Sequence, residues 1–296
     1  MDLAYLREHP HLLPTFLTHQ RIRETPVGGG SICQARRLTL ADGESVFAKS
    51  LADGQAVPSG FFEAEGNGLR WLADAMATGG APVPEPIAVL PGLLALQWLE
   101  AAPPSAAAAA RFGRELAATH ASGADGFGAP WPGFIGSLPQ DNGPGASWPQ
   151  WFAQRRLLPY LRLAADRGAL NDGDVAMVET LVNRIDRIGD PADRPSRLHG
   201  DLWPGNLLWT EDRVWLIDPA AHGGHRETDL AQLALFGGAP HLDLILAAYH
   251  ETAPLSDGWR ERIPLHQLHL LLVHAAMFGG PYRAPVLAAT RAALRA

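Results

Sequence analysis

The alternation of apolar and polar positions divides the chain into two unlike parts. A short helical start is interrupted at Pro10 and Pro14. Residues 34–40 and 45–49 then alternate like strands around Ala41-Asp42-Gly43-Glu44, which predicts an antiparallel hairpin. Leu69, Leu72, Ala73 and Met76 recur at helical spacing. That spacing predicts a helix over 62–76 despite Gly66 and Gly68. A proline-rich break at 81–86 leads to two short strands, 87–89 and 93–99, around Pro91-Gly92.

From residue 101 the periodicity becomes helical. Residues 101–105 read as a linker, and the alanine run that follows predicts a helix to His120, since alanine is the best helix former. Residues 123–149 are rich in Gly, Pro, Trp and Asn but carry Phe127, Trp131, Phe134, Ile135 and Trp148. A structureless loop of that length is unusual, so the segment reads as irregular but ordered. Further helices are expected over 151–167, 174–188, 229–236, 242–250 and 264–278, with short strands at 207–209 and 214–217. The expectation is an α+β chain. Residues 1–100 form a small lobe with an antiparallel sheet and one main helix, and residues 101–296 form a larger, mainly helical lobe. No internal repeat is visible.

Composition narrows the partners. The chain has 296 residues, 47% of them apolar, enough for a sizeable core. A formal net charge of −7 argues against a nucleic-acid binder. Cys33 is the single cysteine, so neither an intramolecular disulfide nor a multi-cysteine zinc site can form. Met1-Asp2-Leu3-Ala4-Tyr5 does not open like a signal peptide, and no apolar run reaches membrane-spanning length. A cytoplasmic protein with no membrane partner is expected; monomer and homodimer remain equally open.

The chemistry concentrates around the second hairpin. His199-Gly200-Asp201-Leu202-Trp203-Pro204-Gly205-Asn206 precedes its first strand, and Asp218-Pro219-Ala220 follows its second. Hairpin connectivity puts Asn206 and Asp218 at the same end, close enough to share one ion, with Asp201 just before. Mg²⁺ takes oxygen ligands, usually one or two carboxylates or amides completed by phosphates and water. A further carboxylate can orient an acceptor hydroxyl and take its proton. Asn206 and Asp218 are therefore the candidate metal ligands and Asp201 the candidate base for phosphoryl transfer. His199 reads as an architectural residue of that loop. Asp229 reads as a helix-start charge or as a buried carboxylate pinning the Asp201 loop.

The nucleotide side is assembled from weaker signals. Gly28, Gly29, Gly30 and Ser31 sit beside the first hairpin, where backbone N–H groups can approach phosphates. The run is neither a GxxxxGK[ST] loop nor a GxGxxG turn opening a helix. Lys49 ends the returning strand, and Glu65 lies one turn into the next helix, placed to hold it; Glu63 is the competing partner. Gln97 and Leu99 lie on the strand joining the lobes, where adenine would meet backbone groups.

His199-Gly200-Asp201, Asn206 and Asp218-Pro219-Ala220 resemble the aminoglycoside phosphotransferase and protein-kinase-like superfamily. A run from Gly223 through His225-Arg226-Glu227-Thr228-Asp229-Leu230-Ala231, then Leu235-Phe236-Gly237-Gly238, is more specific and resembles the fructosamine kinase (ketosamine-3-kinase) family. Phe47-Ala48-Lys49, Leu272-Val273-His274 and Phe278-Gly279-Gly280-Pro281-Tyr282 also fit. The resemblance implies a protein-kinase-like two-lobe fold that uses ATP and Mg²⁺ to phosphorylate the 3-hydroxyl of a ketoamine. That acceptor is a ribulosamine, erythrulosamine or fructosamine on an amine or protein lysine, and the reaction serves protein deglycation. The resemblance also places Lys49 on the phosphates and substrate near His225, Arg226 and Glu227. Pro204 and Cys33 depart from the family's expected small polar residues, and Cys33 is either a redox-sensitive thiol or a small semi-buried residue. A kinase for another hydroxylated acceptor, of the aminoglycoside or choline type, and a non-catalytic nucleotide-binding protein are the alternatives.

Overall fold

Strand pairing organises the first hundred residues. The structure is a computed structural model and describes residues 2–18, 22–28, 32–51, 58–188 and 194–296. Two short helices, α1 (Leu3–Glu8) and α2 (Leu13–Thr18), precede an antiparallel sheet. Its strands are β1 (Arg23–Val27), β2 (Cys33–Thr39), β3 (Ser45–Leu51), β4 (Pro86–Leu90) and β5 (Leu93–Gln97), in the order β1-β2-β3-β5-β4. The predicted hairpin is β2–β3, with Ala35 opposite Lys49. Strand β1 was not anticipated. It is an almost wholly exposed edge strand containing Pro26, so it lacks the alternation by which half-buried strands are read.

Helix α3 (Phe61–Asp74) joins β3 to β4 and buries Phe62, Leu69 and Leu72. Its glycines are packing devices. A Cβ at Gly68 would lie 3.1 Å from the Ala221 methyl, and one at Gly66 would lie 2.8 Å from Val89. The loss of helix propensity, about 1 kcal/mol per glycine, is the cost of bringing α3 against the segment that follows Asp218.

Helix α4 (Ala106–Ala121) starts where Ser105 accepts the Ala108 N–H, a side-chain N-cap. The tryptophan-rich segment is ordered, and it contains an unanticipated hairpin of β6 (Gly133–Ile135) and β7 (Leu138–Gln140). Helices α5 (Trp148–Phe152) and α6 (Leu158–Asp166) flank a π-helical turn over Ala153–Leu157. Helix α7 (Asp172–Val182) opens on a reciprocal Asn171–Asp174 capping box, and α8 (Ile185–Ile188) follows. Then come β8 (Ser196–Leu198), β9 (Leu207–Trp209), β10 (Val214–Leu216), β11 (His222–Gly224), α9 (Glu227–Gln232) and α10 (Leu242–Thr252). Helices α11 (Trp259–Phe278) and α12 (Arg283–Ala293) close the chain.

The fold is thus α+β with two lobes, the sheet in the first and mostly helix in the second. One buried apolar cluster runs from Phe62, Leu69 and Leu94 into Phe112, Leu116, Leu207 and Leu216, so the lobes share core at the site. No helix among the described residues is long and apolar enough to cross a membrane.

Candidate active site

Two nested strand pairings build the site. In the inner one, Leu207 faces Leu216, and Ile217 donates its N–H to Asn206 O at 3.1 Å. Asn206 and Asp218 therefore emerge at one end, as the hairpin argument requires. In the outer one, Leu198 faces His222, which clamps the His199–Asp201 loop beside the Asp218–Ala221 segment. The Asn206 amide nitrogen donates to Asp201 O at 2.8 Å and to Asp201 Oδ2 at 3.1 Å. That commitment leaves Asn206 Oδ1 as an oxygen donor.

Asp218 has φ 54°, in the left-handed region. For a residue with a Cβ this costs about 1–3 kcal/mol, and such strain gathers at functional sites. The turn directs Asp218 Oδ1 to Lys49 Nζ at 2.8 Å, and Lys49 Nζ also meets Glu65 Oε2 at 2.5 Å. Glu65, not Glu63, is thus the partner of Lys49. Burial works against the Lys49 charge, but Asp218 and Glu65 outweigh it and raise its pKa. The ammonium stays charged throughout the physiological range.

Asp201 keeps Oδ1 buried with no hydrogen-bond partner. Burial pushes its carboxyl up to about 7 against the pull of Asn206, and the negative Asp218 and Asp229 add to the rise. A carboxyl poised near neutrality is suited to accept a proton.

The loop carrying Asp201 is held from behind. His199 Nε2 donates to Ile217 O at 2.8 Å, while its Nδ1 accepts the Asp201 N–H at 3.2 Å. Burial lowers the His199 pKa, so the ring is a neutral strut. Asp229, fully buried, accepts the N–H groups of His199 at 2.7 Å and Gly200 at 2.9 Å, and meets His120 Nε2 at 3.2 Å. Of the two readings for Asp229, the pin for the loop is the one found. Gln232 Oε1 accepts the Leu202 N–H at 2.7 Å.

These groups open into a cleft of about 950 Å³ between the lobes. Gly28, Lys49, Glu65, Gln97, Leu99, Asp201, Asn206 and Asp218 all line it. Gly29, Gly30 and Ser31 lie outside the described residues. Cys33 also lines the cleft, half-buried, and burial pushes its thiol up.

His225, Arg226 and Glu227, expected near the entering substrate, are not among the residues that line the cleft. Glu227 is buried and takes Arg262 Nε at 2.8 Å and Nη2 at 2.5 Å, with His266 Nε2 at 3.3 Å. Burial opposes its charge, but the Arg262 and His266 hydrogen bonds outweigh it and hold its carboxyl far below the usual range. His225 packs 4.9 Å from Trp148, ring to ring. The three follow Asp218 closely in sequence, but β11 carries the chain away from the cleft before α9 begins. The far wall is formed by residues not assigned to the site from sequence: Trp131, Phe134, Trp203, His274, Met277 and Phe278. The i, i+4 pair His274 and Phe278 at the C-terminal end of α11 was the available signal.

The chain matches the fructosamine kinase family over residues 11–295. It belongs to that family. A Synechocystis sp. relative assigned as a ketoamine kinase is 37% identical over 271 residues, 89% of this chain and 88% of the relative. A Thermobifida fusca crystal structure assigned as a fructosamine-3-kinase is 50% identical, with a TM-score of 0.88 over 93% of this chain and 94% of that one. A macrolide 2′-phosphotransferase from Brachybacterium faecium, 17% identical, superposes with a TM-score of 0.60 over 95% and 96% of the two chains. That likeness shows the fold alone, which is protein-kinase-like. As a member of this kinase family the chain is a phosphotransferase.

Proposed function

We propose that this chain is an ATP-dependent ketosamine-3-kinase, acting on a ribulosamine, erythrulosamine or fructosamine on a small amine or protein lysine. The observation that carries the reading is Asp201, with Oδ1 buried and unpartnered in the same cleft as Asn206, Asp218 and Lys49. The lobes divide the work. Residues 1–100 hold the nucleotide, with Gln97 and Leu99 at the adenine, Lys49 on the phosphates and Glu65 steadying Lys49. Residues 101–296 carry catalysis and the acceptor.

The donor set fits Mg²⁺. Asn206 Oδ1 and the Asp218 carboxylate are hard oxygen ligands at one hairpin end, and when bound the ion neutralises phosphate charge. Asp201 receives the proton of the acceptor 3-hydroxyl as that oxygen bonds to the γ-phosphorus. The bond from that phosphorus to the β–γ bridging oxygen breaks, and ADP departs. Lys49 keeps its charge throughout and holds the phosphates in line. Phosphorylation at C3 makes the adduct labile, which supports a role for the reaction in protein deglycation. Family membership supports the ketoamine class.

The test is ATP consumption with ribulosyl-lysine, erythrulosyl-lysine, fructosyl-lysine and the free sugars. Turnover of at least one ketoamine, well above the free sugars, is the expected result. No turnover of any ketoamine at millimolar concentration would overturn the acceptor assignment.

A further inference from the structure

The ketoamine reading puts the reacting C3 hydroxyl at Asp201 and the nucleotide on the side of Lys49 and the interlobe strand. The acceptor therefore approaches along the opposite wall, which α11 and Trp203 form. On that wall stands His274. Its Nδ1 donates to Leu270 O at 2.8 Å. A carbonyl only accepts, so Nδ1 carries the hydrogen and Nε2 of the neutral ring carries the lone pair.

Three aromatic rings surround this imidazole. The centroids of Phe236, Tyr282 and Phe278 lie 4.6, 5.0 and 5.5 Å from it. Two of them are held at the surface, Phe236 at 42% and Phe278 at 47% exposure. Phe236 also has φ 52°, a left-handed backbone that is costly for a bulky side chain. The cation next to the cluster, Arg283, is engaged by Asp174 through Nε at 2.6 Å and Nη2 at 2.8 Å. His274 and Phe278 themselves line the cleft, with Phe236 and Tyr282 packed behind them against the imidazole.

We propose that His274, enclosed by Phe236, Phe278 and Tyr282, recognises the amine of the acceptor and makes the enzyme selective for ketoamines over ketoses. The inference rests on the ketoamine reading of the cleft. A ketoamine bears its nitrogen on C1, two carbons from C3, so the N–H group projects toward this wall when the C3 hydroxyl meets Asp201. His274 Nε2 accepts from that N–H, and the ring faces attract the nitrogen when it is protonated. The amine's carrier leaves past the exposed rings of Phe236 and Phe278.

Steady-state kinetics on a ribulosyl-lysine and on its ether analogue, oxygen replacing the nitrogen, tests this. In the wild type, kcat/KM for the amine should exceed that for the ether by about tenfold or more, mostly through KM. His274→Leu should reduce that ratio to within about threefold of unity. His274→Gln, which keeps an acceptor oxygen, should retain part of it. Phe278→Leu, at an exposed position that does not endanger folding, should lower the ratio several-fold. An amine-to-ether ratio unchanged in both His274→Leu and Phe278→Leu, with ketoamine turnover intact, would overturn the recognition proposal alone. A wild type that turns over no ketoamine removes the substrate reading and this proposal with it.

Discussion

The Asp229 carboxylate accepts the Gly200 N–H at 2.9 Å through Oδ1 while Oδ2 accepts that of His199 at 2.7 Å. One buried side chain thus fixes two consecutive peptides of the loop that carries Asp201. Gly200 has φ 83°, and a Cβ there would lie 2.3 Å from Ala220 O, so the loop can take this path only with glycine at that position. Asp229→Ala leaves two buried donors unpaired, each costing about 1–3 kcal/mol. A loss of about 2–6 kcal/mol in urea unfolding is expected, with kcat falling even where the variant is fully folded. Unchanged stability would show that the carboxylate does not pin the loop.

The inner hairpin was legible because it is local. Asn206 and Asp218 are separated by one strand, a turn and one strand, so alternation and turn chemistry suffice to place them together. Lys49 and Glu65 were legible through strand and helix periodicity on either side of one connection. The outer clamp was not. Strands β8 and β11 are three residues each, β11 is His222-Gly223-Gly224, and only their pairing with each other identifies them. The far wall of the cleft escaped for a different reason. Helix α11 buries His266, His269, Leu270, Leu271, Leu272 and Val273 in near succession, so no polar face marks which side meets the cleft. Helix α12 carries a readable pattern, with Val286, Ala289, Thr290 and Ala293 buried at helical spacing, and was simply not identified.

Asp201→Asn removes the proposed proton acceptor while keeping the shape of the loop. General-base catalysis contributes about 10²–10⁴-fold, so kcat should fall by about that factor. ATP affinity, measured by titration calorimetry, should change less than about threefold, because the phosphates are assigned to Lys49 and the metal pair. A variant retaining most of its activity would exclude Asp201 as the base.

Lys49, buried, pairs with two carboxylates, the largely buried Glu65 and the half-exposed Asp218. Lys49→Met should therefore harm both stability and function. Removing the cation of the largely buried Glu65 destabilises by at most about 3–5 kcal/mol, less what the carboxyl recovers by taking up a proton, since burial already pushes it up to about 7. Glu65→Gln in the same background should recover part of that stability by removing a buried carboxyl that must otherwise take up a proton, without restoring kcat. Melting temperatures and ATP-dependent turnover of the single and double variants separate the two effects. Recovery of turnover in the double variant would count against a phosphate-binding role for Lys49.

Buried neutral histidines make folding sensitive to acid. Burial, with the nearby Arg156 cation adding to it, lowers His222 from 6.5 to about 3; the same two causes lower His269 well below its ordinary value. Below pH 6.5 the unfolded chain protonates these rings and the folded chain does not, so the unfolded state binds more protons and stability falls as pH falls. Each such histidine contributes a slope approaching about 1.4 kcal/mol per pH unit between its unfolded and folded pKa. Carboxyls raised by burial, Asp201 among them, take up protons in the folded state over part of this window and work in the opposite sense. The whole-protein slope therefore mixes signs, and a difference between variants isolates one ring. His222 Nδ1 donates to Ala220 O at 2.8 Å, a bond that the amide of His222→Gln can replace. That variant should be less stable than the wild type at pH 8. The gap should narrow by about 2 kcal/mol by pH 5, since only the wild type carries this acid penalty. Urea unfolding at pH 8, 6.5 and 5 measures it, and a gap that is constant across the series would mean that His222 titrates in the fold as it does in the unfolded chain.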